Sequence, residues 1–321
     1  MSQPALQTFE RRTIAVDVGG SAVTSLADSI LTYDGSFGTE TDTVEDNADS
    51  AYLGGKSVSI TNNRGFIEAG IRLVSPAVPG TNPAAVAKLL YPCGFAQTLT
   101  AGSAGTGKTS YTPVSASFAL ADAKMWQGGR LISVTDARGE LSEIKGEIGT
   151  KMSAKFRLQG TYADLTDVAQ PTDAAPDISQ ASVATHLNST LILDSLGDTA
   201  ITALHLRAKS LSYSLGNEIA TQEYTEFKET AINARKPTFT ARFANPAMAD
   251  FNPEKIRDLG ELITLKWRTT EADDHYVELG IRGQILAVNV VNIDGKAGIE
   301  ITGTCIPSSA GGDEVYIENG Y

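Results

Sequence analysis

The sequence predicts a mainly β protein made of two tandem copies of one β unit, each with one short α-helix. Three observations predict it. First, residues 138–161 and 282–304 read as the same hairpin. Both open on Arg-Gly (Arg138-Gly139, Arg282-Gly283), turn through Gly149-Thr150-Lys151 or Asp294-Gly295-Lys296, and close on Gly-Thr (Gly160-Thr161, Gly303-Thr304). Second, two further pairs precede the hairpins in the same order. Lys56-Ser57-Val58-Ser59-Ile60 matches Lys209-Ser210-Leu211-Ser212-Tyr213, and Asn82-Pro83 through Leu89 matches Asn252-Pro253 through Leu259. Third, the apolar residues alternate along most of the chain, and no heptads occur. The expected layout is an N-terminal strand and acidic arm at 1–52, repeat one at 53–164, a linker at 165–190, repeat two at 191–306 and a tail at 307–321.

The chain in order supports that layout. Residues 14–21 read as a buried strand ending in a glycine turn. Residues 38–50 are acidic and small, and read as a loop or arm. In repeat one, 57–62 is a strand, Asn63-Arg64-Gly65 a turn, and 66–75 a second strand. Thr81 or Asn82 caps a helix that Pro83 begins, with Val86, Leu89 and Leu90 as its apolar stripe, ending near Tyr91-Pro92. Residues 94–107 read as a loop and 110–121 as a strand. A short strand at 123–126, the Gly128-Gly129 turn and 131–137 lead into the hairpin. Residues 164–189 carry Pro171 and Pro176 and little to bury, the signature of a linker. In repeat two, 204–215 is one long strand, 221–229 is polar, and 236–244 is a strand with Phe239, Ala241 and Phe243 on one side. Residues 253–259 form a helix closed by Gly260. Residues 262–268 pair with 276–282, and 284–292 with 297–304.

Composition bounds the function. The 321 residues are 41% hydrophobic and 7% aromatic, enough for a sizeable core, and 30 glycines suit many turns. A net charge of −12 argues against tight binding to a nucleic-acid backbone. Cys93 and Cys305 sit at non-equivalent places in the repeats and read as buried free thiols, as expected of a soluble protein made in a reducing compartment. No run reaches the length of a membrane span.

Several stretches imitate chemistry. Gly102, Gly107, Lys108 and Thr109 satisfy the phosphate-loop pattern G-x-x-x-x-G-K-[ST]. That loop needs a helix directly after the lysine, whose N-terminus holds the phosphates. Ser110-Tyr111-Thr112-Pro113-Val114-Ser115 is interrupted by proline and alternates, so the match reads as a decoy. Val16-Asp17-Val18-Gly19-Gly20-Ser21 resembles the first phosphate loop of actin-like sugar kinases, but neither a second loop nor alternating helices accompany it. Asp273-Asp274-His275 are consecutive at a hairpin tip and point to different sides. The three histidines show no ligand spacing. No catalytic residue, cofactor site or metal site is expected.

A series of short motifs in fixed order carries a family resemblance. They are Tyr91-Pro92-Cys93-Gly94-Phe95, Tyr111-Thr112-Pro113-Val114-Ser115, Gly128-Gly129, Asp136-Ala137-Arg138-Gly139 and Leu158-Gln159-Gly160-Thr161-Tyr162, followed by Leu215-Gly216-Asn217-Glu218 and Arg235-Lys236-Pro237. Over about residues 54–265 the chain resembles the tail tube (major tail) proteins of long, non-contractile tailed bacteriophages. The resemblance implies that each of the two tandem copies is a tail-tube-type β-sandwich or barrel with a flanking helix, in a non-enzymatic structural protein of the virion made in the bacterial cytoplasm. Its subunits form rings that stack into the tube conducting DNA from capsid to host. The family's usual ring has six tube domains, so a duplicated chain implies a homotrimeric ring with pseudo-sixfold symmetry, a hexamer of whole chains being the competing count. Implied partners are further copies of the chain, the tape measure protein and the tail terminator. DNA passes without specific binding, and no membrane is involved. Residues 138–160, 204–215 and 282–303 are the candidates for the bore, and 38–50, the linker and 307–321 for bridges between rings. The alternatives are another phage β-module, such as a baseplate, decoration or carbohydrate-binding protein, and a P-loop nucleotide hydrolase.

Overall fold

The computed structural model describes residues 12–19, 29–45, 58–74, 84–102, 107–169, 189–197, 201–270 and 275–320. The protein is mainly β. The strands of the first half are β1 (Arg12–Val18), β2 (Ser29–Ile30), β3 (Tyr33–Glu45), β4 (Val58–Arg72), β5 (Phe95–Thr100), β6 (Lys108–Pro113), β7 (Ala121–Gln127), β8 (Arg130–Glu147) and β9 (Ser153–Asp167). Those of the second half are β10 (Ser189–Ser195), β11 (Leu204–Leu206), β12 (Ala208–Ser214), β13 (Asn217–Glu223), β14 (Lys228–Arg235), β15 (Thr238–Ala244), β16 (Leu262–Thr270), β17 (Tyr276–Ile293), β18 (Lys296–Cys305) and β19 (Val315–Gly320). Among the described residues two helices interrupt them, α1 (Ala84–Leu90) after β4 and α2 (Pro253–Leu259) after β15.

All pairings among the described residues are antiparallel. In the first half β3 bonds to β4, β4 to β9, β9 to β8, β8 to β7, β7 to β1 and β1 to β2. In the second, β12 bonds to β15, β15 to β18, β18 to β17, β17 to β16, β16 to β10 and β10 to β11. A seam between β8 and β12 joins the two series, with Ser210 opposite Glu147 and Tyr213 opposite Ile144. The seam makes one continuous ladder of eight strands, in the order β3-β4-β9-β8-β12-β15-β18-β17.

Local chemistry explains the turns. Gly128 and Gly129 have φ of 59° and 79°, and Asp294 and Gly295 have 49° and 83°. Two successive positive φ values define the two-residue turn whose twist matches a hairpin. In α2 the Asn252 side chain accepts from the Lys255 N–H at 3.0 Å, and Gly260 closes the helix at φ 68°. The cap expected for α1 lies outside the described residues; its stripe, Val86, Leu89 and Leu90, is buried as expected. A single apolar cluster runs from Ile14 through Leu141 and Trp267 to Ile317. The core is therefore shared by the two halves.

Several expectations need correction. Residues 38–45 are not an arm: they belong to β3 and pair with β4 from Gly38↔Phe66 to Glu45↔Val58. Their acids suited a loop only while the arginines that answer them, on other strands, were unknown. Asn63-Arg64-Gly65 is no turn. β4 runs through it, and the irregularity falls on Asn62 (φ 48°), where β4 carries one residue more than β3 opposite Thr41. The stretch 94–107 holds β5, a hairpin partner of β6, and the strand expected at 110–121 is split between β6 and β7. The expected linker begins inside β9, and most of it lies outside the described residues. The strand at 204–215 breaks at Arg207 into β11 and β12, and the polar stretch 221–229 belongs to a hairpin of its own, β13–β14. The tail is not a free bridge: β19 sits between β17 and β6. Finally, Val58-Ser59-Ile60 opens β4 whereas Leu211-Ser212-Tyr213 lies in β12, and these strands hold different places in the two series of pairings. The helix and hairpin matches hold equivalent places.

Candidate assembly interface

The expected decoy resolves into ordinary structure wherever it is described. Lys108 opens a β-strand, not a helix, and its Nζ lies 2.8 Å from Glu318 on β19. The same carboxylate accepts the Tyr276 hydroxyl at 2.5 Å. Burial first, then this bond and the charge of Glu318, push the Tyr276 pKa up to about 12. Gly102 and Gly107 flank residues outside the described set. Asp273 and Asp274 also lie outside it, and no group of three or more potential metal ligands occurs among the described residues. Gly19 follows β1 with φ 106°, and the rest of that candidate loop is outside the described residues.

Both cysteines are buried and free. Burial pushes each thiol well above its ordinary pKa, with Glu140 adding to the effect at Cys93 and Glu314 at Cys305. Neither is a ready nucleophile, since the reactive form is the thiolate.

What the fold does present is a pair of strand edges and a charged sheet face. On one face of the ladder, charged residues stand in rows across the strands. Glu68 is opposite Arg157, and Arg157 is opposite Glu140. Across the seam, Glu147, Ser210, Arg242, Glu300 and Asn289 form a second row. The cations here have acidic neighbours: Arg64 lies 3.0 Å from Glu40 and 3.3 Å from Asp42, Lys145 2.6 Å from Glu147, and Arg242 bonds Glu300. Arg157 reaches Glu40 and also stacks over the Phe66 ring at 4.0 Å. Burial alone would raise the Glu40 pKa. Hydrogen bonds from Arg64 and Arg157 outweigh it and hold that carboxyl below its ordinary range. Glu140 is shifted the other way by burial, with Arg157 opposing and Glu68 reinforcing the rise.

The joint between the halves is built from more than the seam. The buried Asn217 side chain donates to the carbonyls of Cys93 at 2.9 Å and Gly139 at 3.0 Å. The Leu215 N–H bonds the Leu141 carbonyl at 3.0 Å and the Ile148 N–H bonds Lys209 at 3.1 Å, extending the seam at both ends. The β13–β14 hairpin of the second half lies over the first, where Asn62 bonds Glu223 and Thr221, and Arg138 bonds the Thr230 carbonyl. In return, β6 of the first half pairs with β19 of the second, Tyr111 opposite Ile317.

The ladder ends on two edges. Among the described residues β3 pairs only with β4. On β17, β16 covers one side as far as Gln284, and residues 285–293 have no partner on that side among the described residues. Sequence reasoning pointed to 138–160, 204–215 and 282–303, and the structure brings these together in the ladder except for residues 204–206, which as β11 pair with β10 outside it. It missed β3, β4 and β15 as members, along with the clamp at Asn217. No family model and no curated protein matches this chain.

Proposed function

We propose that this protein is the ring subunit of a phage tail tube, a structural virion protein without enzymatic activity. In this reading the chain is two tandem copies of a tube-type β-sandwich, each with one helix. Three chains close a ring of pseudo-sixfold symmetry, and stacked rings conduct DNA from capsid to host. The observation that carries it is the eight-stranded antiparallel ladder, four strands from each half, with an edge at either end that is open among the described residues. An open edge invites pairing, and closure into a barrel removes it. Three ladders supply 24 strands. At ~4.8 Å between strands and a tilt of ~40°, the backbone wall has a diameter of roughly 45–50 Å, which leaves room for a duplex inside the side chains.

The charged face suits a bore. Phosphates are held by cations that release counterions. Here Arg64, Arg157, Lys145 and Arg242 are engaged by neighbouring acids, in a chain whose net charge is −12, so passing DNA meets a wall with few free grips. The face is an ion-paired grid rather than the uniformly acidic wall that net charge alone suggests. Further copies of the chain, a tape measure protein inside the tube and a terminator at its end are the partners this reading requires. The nucleotide-hydrolase alternative is disfavoured because Lys108 begins a strand and is engaged by Glu318. Electron micrographs of the purified protein test the proposal: stacked rings are expected, and isolated particles at every concentration would count against it.

A further inference from the structure

The two open edges of the ladder stand in the same relation as the two edges already joined inside the chain. In the internal seam, β7 flanks β8 only as far as Ala137, and β12 takes over the same side of β8 from Ile144 onward. On β17, β16 stops at Gln284, and that side of residues 285–293 lies open among the described residues. β3 holds in the first half the place that β12 holds in the second, each bonded to the next strand on one side.

We propose that β3 of one chain pairs antiparallel with β17 beyond Gln284 of a second copy of this chain, repeating the seam between β8 and β12. The inference rests on the ring reading above and specifies its joint. Exposure at the two edges points to the same occupant. Val290 is directly opposite Ile299 and so shares its face of the sheet, yet Val290 is 82% exposed and Ile299 only 3%. At the internal seam the corresponding side chain is Leu141, whose carbonyl accepts the Leu215 N–H and which is fully buried. At the other edge, Val44, Val58 and Ile60 are each more than half exposed at the outer end of the β3–β4 pair. Each open edge thus carries apolar side chains of the kind that the internal seam buries. Matching the row Glu68–Arg157–Glu140 to the row Arg242–Glu300–Asn289 carries the seam's register across and sets residues 38–43 beside residues 288–293, with Asp42 opposite Asn289 and Thr43 opposite Val288.

The test is a disulfide scan of the full-length protein. Thr43→Cys is combined with Val288→Cys in one chain, and Thr43→Cys with Val290→Cys covers a two-residue slip, which keeps both side chains on the same face of the sheet. Directly paired residues have Cα atoms about 4.5–5.5 Å apart, within disulfide reach. Cys93 and Cys305 are buried, so the background is low. Oxidation of assembled protein should give covalent dimers and trimers, ending at three chains, and none of the three single-cysteine variants should give this ladder. Val290→Asp, at a position exposed in the lone chain, should keep the melting temperature and cut ring yield at least tenfold. Rings that form normally with Val290→Asp and give no cross-link with either pair would overturn the joint and leave the ring reading standing. Absence of both rings and cross-links overturns both. A ladder continuing past three chains supports the joint and overturns threefold closure.

Discussion

The indole of Trp267, on β16 in the second half, lies against the backbone of Gly146, on β8 in the first; a β-carbon added at Gly146 would stand 2.9 Å from the ring. The contact seals the seam from behind, because Gly146 is the residue that pairs with Leu211. It also accounts for the glycine at a buried strand position. Gly146→Val should therefore destabilise the protein by about 1–3 kcal/mol through overpacking. Urea unfolding measures this, and Trp267→Leu in the same chain should restore part of the loss. An unchanged midpoint for Gly146→Val would show that the two halves do not meet there.

Asn217 ties the halves together from the other side of the joint. Asn217→Ala leaves the carbonyls of Cys93 and Gly139 buried without that donor, at a cost of about 1–3 kcal/mol for each group left unsatisfied. The expected result is a lower denaturation midpoint with an unchanged slope. Asn217→Asp should fare no better, since an ionised carboxylate cannot donate.

Acid should loosen the β3–β4 pair before it unfolds the rest. The Glu40 pKa is lowered in the folded state. Its contribution is therefore complete above the unfolded pKa and lost as pH falls through the folded one. With side-chain exposures of 22% for Arg64 and 37% for Glu40, screening keeps the effect below ~1 kcal/mol. Amide hydrogen exchange of residues 36–45 should show faster opening in Glu40→Gln than in the wild type at neutral pH. The difference should vanish well below the ordinary carboxylate range. Glu140, whose pKa burial raises, acts oppositely: its ionisation costs stability as pH rises from the unfolded to the folded pKa.

Lys108→Ala separates the structural reading from the enzymatic one. The Lys108–Glu318 pair is half exposed on the lysine side, and Glu318 keeps its bond from Tyr276. Stability should change by less than ~1 kcal/mol and ring formation should persist. Isothermal titration with ATP and magnesium should give no heat of binding for wild type or variant. Saturable binding lost in the variant would reinstate the phosphate loop.

Much of the fold was readable from local signals. The hairpin ending at Asp294-Gly295 and the helix between Asn252 and Gly260 are each specified by residues that contact one another along the chain. So is the strand character of residues 108–113, where alternation and Pro113 outweigh a phosphate-loop pattern. What escaped were features set by distant residues. Glu40 and Asp42 look like an unpaired acidic arm until Arg64 and Arg157 are placed on the neighbouring strands. Residues 315–320 read as a loose tail because a six-residue strand has no visible identity before its slot between β17 and β6 exists. Asn217 gave no signal beyond its place in a short motif, since its two acceptors are backbone carbonyls 124 and 78 residues away. The match between 56–60 and 209–213 failed for the opposite reason. Short alternating strands share a composition whatever place they take in a sheet.

The central claim is that three chains, each supplying two like β units, close one ring. Rotational averaging of end-on rings in electron micrographs, with the chain count set by native mass spectrometry of single rings, tests it most directly. The account predicts six lobes around a bore and a mass of three chains. A ring of six chains, or six lobes replaced by an odd number, would contradict it.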